Sequence, residues 1–281
     1  MPKSTENVSS ADNQQETQTN LYSQVSKGIL RDYTLDTLKF SRSLAILLAL
    51  LYTDGCVSPH GVRSWRLYFS NKSLVAINLF INCLIDVFEI PASRVRIKKR
   101  EHDVYAAILT SKEVGQYLTN RFGTFRTLKF EDGHYPDTHL PVHKLIESNF
   151  VGIFLQVAFS MDGCVKFYPV IAKNGRRWLE RCLTLSCHHA NLREDYCCLL
   201  SSLGIGFVNI HKDQVIKIRK KDNLLKYAKE VRFIDGLVAT KSSKFWCGID
   251  KNKILDEMIK SYSNVSSYLS PYIPEEKNNK E

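Results

Sequence analysis

Apolar residues recur with two periods along the chain. Between Ser73 and Phe88 they stand at Leu74, Ile77, Phe80, Ile81, Leu84, Ile85 and Phe88, which is the spacing of one helical face, and Pro91 closes the segment. Shorter runs alternate with a period of two. They predict strands at about Cys56–Ser58, Trp65–Ser70, Arg94–Arg100 and Val104–Leu109, followed by a helix at Lys112–Phe122. The same order returns further on. It predicts strands at Val165–Ala172 and Leu179–Ser186, a helix at Leu192–Leu203, strands at Gly206–His211 and Gln214–Arg219, a helix at Asn223–Val231, and a last helix at Lys251–Tyr262.

Each series is preceded by an apolar stretch ending in Asp-Gly. Leu47 to Val57 (LLALLYTDGCV) is echoed by Leu155 to Val165 (LQVAFSMDGCV), about one small domain later. The pattern predicts an α+β fold of two pseudo-symmetric α-β-β-α-β-β-α halves, each with an antiparallel sheet made of hairpins. The halves are expected at 29–132 and 148–270, joined by a linker at 133–147 that carries His134, His139 and His143. Residues 1–28 are rich in Ser, Thr, Asn, Gln and Glu and poor in apolar residues, so a disordered tail is expected there, and another at 271–281.

Composition changes this picture in one respect. Lys and Arg number 39 against 29 Asp and Glu, a formal net charge of +10. A surface this basic points to a polyanionic partner, nucleic acid or an anionic membrane. The longest apolar run, Leu44–Tyr52, is far shorter than the roughly 20 residues of a membrane span, and no basic amphipathic helix is evident. The first residues lack a secretory pattern, and Arg31 is the first arginine, which disfavours a mitochondrial presequence. Eight cysteines in no staple-like spacing fit a reducing compartment, so a cytoplasmic protein is expected. Cys182, Cys187, His188 and His189 lie close together, but without a CxxC pair they read as buried strand residues rather than a zinc site.

The chemistry is concentrated in the repeated Asp-Gly. Asp54 and Asp162 each end an apolar helix, where the negative end of the helix dipole disfavours a carboxylate. Gly55 and Gly163 suit the left-handed turn that stops a helix. Two such acids in matching contexts call for a compensating positive charge. A divalent cation with oxygen ligands supplies one, since Mg²⁺ takes carboxylates, water and phosphate oxygens. Helices packed side by side would bring both acids to one seam, an arrangement suited to metal-assisted phosphodiester hydrolysis.

These paired segments resemble the LAGLIDADG motifs of homing endonucleases, over about Thr34 to Tyr262. The resemblance implies that the motif helices form the interface and that curved sheets lie in the DNA major groove. It also implies that Asp54 and Asp162, with Gly55 and Gly163, hold Mg²⁺ or another divalent cation such as Mn²⁺. In the first motif the small residue that permits close helix approach is Ala49; its counterpart here is Val157, with Ala158 and Gly152 nearby. The family also places a basic residue from each half near the metal. Lys129 in Leu128-Lys129-Phe130 and Lys244 in Ser243-Lys244-Phe245 match locally, with Lys241 competing.

The expected DNA-facing residues are basic side chains that alternate with apolar ones. They are Arg63, Arg66, Arg94, Arg96 and Lys98 in the first half, and Lys166, Tyr168, Arg177, Arg181, Lys217 and Arg219 in the second. The implied partner is double-stranded DNA with a long asymmetric target, bound by a monomer. An intron maturase binding host intron RNA and a non-catalytic DNA-binding regulator are the rival readings; retention of both acids favours cutting.

Overall fold

The computed structural model describes residues 38–61, 63–240, 243 and 245–269. The expected disordered tails at 1–28 and 271–281, and Lys241 and Lys244, lie outside the described residues.

Arg42–Tyr52 forms helix α1, capped by Ser41, whose Oγ accepts from the Leu44 amide at 3.2 Å. Every residue from Leu44 to Tyr52 is buried. A helix apolar on all sides needs partners all round. This one has its own sheet and helix α2 (Leu74–Phe88) on one side, and the second motif helix on the other. Strands β1 (Gly55–Pro59), β2 (Trp65–Asn71), β3 (Arg96–Lys99) and β4 (Tyr105–Thr110) form an antiparallel sheet in the order β1-β2-β4-β3. Helix α3 (Lys112–Phe122) packs on β2, and Gly115 lets it approach, because a Cβ there would stand 2.3 Å from the Trp65 Cβ.

The second half repeats this arrangement. Helix α5 (Val151–Asp162) leads into β5 (Gly163–Ile171), β6 (Arg177–Ser186), helix α6 (Ala190–Ser202), β7 (Val208–Ile210), β8 (Val215–Ile218) and helix α7 (Lys221–Glu230). The sheet order is β5-β6-β8-β7, the same topology as the first. Helices α8 (Lys251–Lys260) and α9 (Val265–Leu269) follow and pack on β5 and β6. The molecule is therefore an α+β fold of two antiparallel sheets around one seam, where α1 packs on α5.

The expected linker is more ordered than its Pro-containing composition implies. It contains a short helix, α4 (Val142–Glu147), and docks on the start of α6. Asp195 Oδ2 accepts from the Leu140 amide at 2.8 Å, and the buried His189 ring meets the Pro136 carbonyl at 2.7 Å. Of the linker histidines, His134 and His139 face Asp132, Asp137 and Asp195. Cys182 is fully buried, as a small apolar residue would be, and among the described residues no group of three His, Cys, Asp or Glu is placed to hold a metal.

Two positional expectations are corrected. Strand β3 begins at Arg96, so Arg94 lies in the 3-10 turn Ala92–Arg94 that precedes it. The glycines after the two acids are not left-handed. Gly163 has φ −99° and ψ 158°, and Gly55 is not among the positive-φ residues. They are needed for space instead. A Cβ on Gly163 would lie 2.3 Å from the Phe159 carbonyl oxygen, and one on Gly55 would lie 2.6 Å from the Leu51 Cα. The helix turns straight into the first strand, and only a residue without a side chain fits the corner.

Candidate functional site: two acids at the seam

The helix-to-strand corners set the position of the acids. Asp54 lies between the end of α1 and the start of β1, and Asp162 is the last residue of α5. Because α1 and α5 pack together, the two carboxylates come to the same end of the seam, close enough that the charge of Asp54 acts on Asp162. Both are raised from the ordinary aspartate value. For Asp162 the largest cause is separation from bulk water, then the charge of Asp54, with Lys251 opposing; the result is about 7. Asp54 is raised by burial, while a hydrogen bond from Asn71 and the charge of Lys251 pull it back.

The two acids differ in access. Asp54 is half-buried, whereas the Asp162 side chain is open to solvent on one side. Asp162 lines a cleft of about 570 Å³ together with Cys164, Lys166, Tyr168, Trp246 and Lys251. Its walls displace most bulk water even though the mouth is open. The walls raise its pKa, and solvent at the mouth weakens the energetic weight of that shift.

Lys251, at the start of α8, is the cation whose charge acts on both acids, and it was missed from sequence. Its Nζ donates to the Ser160 carbonyl at 2.7 Å and the Gly163 carbonyl at 2.9 Å. It thus caps the negative end of α5 with positive charge. It forms no salt bridge with either acid among the described residues, and burial lowers its pKa while Cys164, Asp162 and Asp54 raise it. Two carboxylates raised by burial, Asp162 also by the charge of Asp54, beside an ammonium that is already engaged leave a surplus of negative charge. That donor set fits a hard divalent cation. Asp54 and Asp162 would supply carboxylate oxygens. The Gly163 carbonyl already accepts from Lys251, so only its second lone pair remains.

Asn71 was also missed. It ends β2, and its Nδ2 donates to Asp54 Oδ2 at 2.8 Å. The repeat does not mark it, since the matching position in the second half, two residues beyond the partner of Gly163, is Cys187. No periodicity marks Lys251, whose place depends on how α8 folds back. Lys129, expected near the acids, is exposed with its Nζ 5.1 Å from the Tyr135 ring centroid, and no contact joins it to Asp54 or Asp162 among the described residues.

The sheet register sorts the expected DNA-facing residues. In the first half Ser58, Arg66 and Thr110 lie across from one another, as do Cys56, Tyr68, Ile108 and Arg96, and as do Ser70, Ala106 and Lys98. Arg66, Arg96 and Lys98 therefore share the face away from the helices, opposite Leu67, Phe69, Ala107 and Leu109. Arg63 is exposed in the β1–β2 turn. In the second half Lys166 pairs with Cys182 and Tyr168 with Glu180, while Lys217 pairs with Thr184. These lie on the outer face, and Arg219, one residue beyond β8, reaches Glu180 there at 3.0 Å.

Arg181 does not join them. It pairs with Phe167 and shares its parity with Leu179, Leu183 and Leu185, the helix-facing side. Its guanidinium donates to Ser261 Oγ at 2.7 Å and the Ser261 carbonyl at 2.9 Å, and lies 4.4 Å from the Tyr262 ring centroid. A strand that alternates can carry an arginine inward when a helix end offers acceptors. Arg177 has the same parity as Arg181, but it sits exposed at the hairpin tip.

No protein-family model and no curated protein matches the sequence. Among solved structures, mesophilic variants of the homing endonuclease I-DmoI overlay with a TM-score of 0.44 at 18% identity, covering 68% of this chain and 94% of theirs. The homing endonuclease I-WcaI bound to its DNA recognition sequence overlays with a TM-score of 0.45 at 16% identity, covering 77% of this chain and 95% of its own. The I-SmaMI LAGLIDADG homing endonuclease bound to cleaved DNA overlays with a TM-score of 0.42 at 10% identity, covering 69% and 84%.

Proposed function

We propose that this protein is a divalent-metal-dependent DNA endonuclease of the homing type. It cuts both strands of a long, asymmetric duplex target, with Asp54 and Asp162 as its shared acidic centre. The observation that carries this reading is the juxtaposition of two repeat-related acids at the ends of packed helices, flanked by two sheets whose outer faces are basic.

When bound, Mg²⁺ or Mn²⁺ would activate water and stabilise the charge that builds on phosphate oxygens. The chain's own residues do the rest. Asn71 orients Asp54 through its amide. Lys251, with its pKa lowered by burial, holds a positive charge at the end of α5, beside the place where a phosphate would gain charge. Arg66, Arg96 and Lys98 on one sheet, and Lys166, Lys217 and Arg219 on the other, present donors to phosphates and base edges. The two sets differ residue by residue, so the target they read is asymmetric. Both halves belong to one chain, 29–132 and 148–270 joined by 133–147, and a monomer suffices.

The test is a cleavage assay of purified protein on DNA carrying candidate intron-insertion junctions, with Mg²⁺ and with EDTA. Double-strand cutting that needs the metal is expected, and Asp54→Asn or Asp162→Asn should each abolish it while binding survives. Tight binding with no nicking under any divalent ion would leave a non-catalytic regulator as the better reading. Stronger binding to host intron RNA than to DNA would favour a maturase.

A further inference from the structure

The first hairpins of the two halves differ in reach. β1 and β2 pair from Gly55 with Phe69 out to Pro59 with Trp65, whereas β5 and β6 pair from Gly163 with Leu185 out to Ile171 with Arg177. β5 has 9 residues and β1 has 5, so the second hairpin runs four residues further. At a rise of about 3.3 Å per residue the extension is about 13 Å, the axial length of about four base pairs. β8 joins β6 only from Leu183 to Ser186, so the extension has no third strand beside it.

It is braced from the helix-facing side instead. The Trp246 ring stacks on Phe167 with centroids 5.5 Å apart, and its Nε1 donates to the Phe167 carbonyl. The Tyr268 ring lies 5.4 Å from the same phenylalanine. The inner side of the extension is thus filled by its own chain, which holds the hairpin out.

The outer side of the extension carries two pairs, Tyr168 with Glu180 and Val170 with Trp178. Trp178 is 39% exposed, and Val170 is half-buried. The Tyr168 ring lies parallel to Phe245, with centroids 6.1 Å apart. Nearer the seam the same face bears Lys166 and Lys217, and beyond it the tip exposes Lys173 and Arg176. An apolar strip therefore lies between two cationic stretches. The first half has no counterpart. Its outer face ends at Ser58 and Arg66, and its hairpin tryptophan, Trp65, is on the helix side beside Gly115.

We infer that the strip ending in Trp178 reads the C5-methyl group of pyrimidines, thymine or 5-methylcytosine, in the major groove at the outer end of the half-target that the second sheet binds. The inference rests on the DNA-binding reading above. Cations on both sides direct the strip to a duplex. The major-groove edges of the bases are donors and acceptors, except for the C5 methyl of thymine. Val170 has nothing to offer a polar base edge, and the indole has one donor at its rim. Burying a methyl against them removes apolar surface from water on both partners. Because only one half carries the strip, the methyl preference is one-sided.

The experiment selects duplexes from a random pool with the full chain in EDTA, where binding without cutting is expected, and measures affinities by fluorescence anisotropy. The selected sequences should favour thymine in a window of about four base pairs at one outer end only. Deoxyuridine in place of those thymines removes the methyl alone, and wild type should lose about fourfold in affinity per methyl. In a duplex with cytosine in that window, C5 methylation should tighten binding by the same factor. Trp178→Ser should bind thymine and uracil duplexes alike. Val170→Thr, which keeps the shape of the side chain, should reduce the preference without disturbing the hairpin. Lys98→Ala, on the other sheet, should weaken both duplexes equally and keep the preference.

A wild-type protein indifferent to thymine and uracil in the window, or Trp178→Ser and Val170→Thr proteins that keep the full preference, would overturn the inference and leave DNA binding standing. If no duplex is enriched from the pool, the DNA-binding reading itself fails and this inference fails with it.

Discussion

Asp162 shows how a single side chain can set a condition on the whole protein. Its folded-state pKa, about 7, stands above the ordinary value of 3.8. Between those values the folded chain keeps a proton that the unfolded chain has released. Stability of the metal-free protein should therefore fall as pH rises through that window, and the full loss should be present above it. Solvent at the cleft mouth screens the effect, so about 1 kcal/mol is expected rather than the full conversion of the shift. Asp162→Asn removes the charge and should raise the thermal midpoint at pH 8 by a few degrees while leaving pH 4 almost unchanged. Added Mg²⁺ should stabilise wild type at pH 8 more than the variant. Parallel pH curves for the two proteins would show that Asp162 carries no such penalty. Arg181 makes a second residue-level case. Its guanidinium is spent on Ser261 and the Tyr262 ring, on the helix-facing side of β6. Arg181→Ala should cost about 1–3 kcal/mol of stability, read by urea unfolding, because charged hydrogen bonds are lost and the Ser261 acceptors are left inside. DNA affinity at a temperature where both proteins are folded should not change, and a marked loss would return Arg181 to the binding face.

At the scale of elements, the corner between each motif helix and its first strand does the positioning. Gly163 stands where a Cβ would press on the Phe159 carbonyl oxygen at 2.3 Å, so Gly163→Ala must shift the end of α5 or the start of β5. The expected cost is about 1–3 kcal/mol, with a loss of cleavage larger than the loss of stability, because Asp162 moves with the corner. Calorimetry beside a cleavage assay separates the two, and an unperturbed, active Gly163→Ala protein would refute the close-packing account. The need for glycine here was legible in the repeat, but its reason was not. A pattern of residues shows that a side chain is excluded; only the path of α5 into β5 shows that an atom, rather than a dihedral angle, excludes it. The same limit explains the other differences. Periods of 3.6 and 2 located α2, α3, β2, β4, β5 and β6 closely, because each buries a face against neighbours in its own half. Edge strands came out shorter than expected, β3 at Arg96–Lys99 and β7 at Val208–Ile210, since an edge has one partner and little burial to extend it. Lys251 and Asn71 enter the site through contacts between distant segments, and Arg181, although it shares the parity of Leu179, Leu183 and Leu185, was misplaced because its acceptor Ser261 lies 80 residues further on. The acids themselves were legible, since the repeat names them twice.

On the scale of the whole molecule, DNA binding depends on where the excess charge sits. The formal net charge is +10, and the basic side chains Arg66, Arg96, Lys98, Lys166, Lys217 and Arg219 lie on or beside the outer faces of two sheets that share one seam. Some of that charge is already matched: Arg219 meets Glu180 at 3.0 Å, and Lys217 lies 3.8 Å from Asp213. Arg66, Arg96 and Lys98 form no salt bridge among the described residues. A duplex lying across both faces would release counterions for each phosphate neutralised, so binding should weaken steeply as salt rises. The two halves should then contribute unequally. Replacing Lys98 by Ala should lower the slope of log affinity against log salt by about one, because a free cation is lost. Replacing Arg219 should lower it less, since Glu180 already screens that charge in the free protein and must give up its partner on binding. Replacing both Arg219 and Glu180 should leave the slope close to that of wild type. Fluorescence anisotropy of a labelled duplex over a salt series measures all three. Equal slopes for wild type and Lys98→Ala would mean that the outer face of the first sheet does not meet the phosphate backbone, and the duplex would have to lie elsewhere on the molecule.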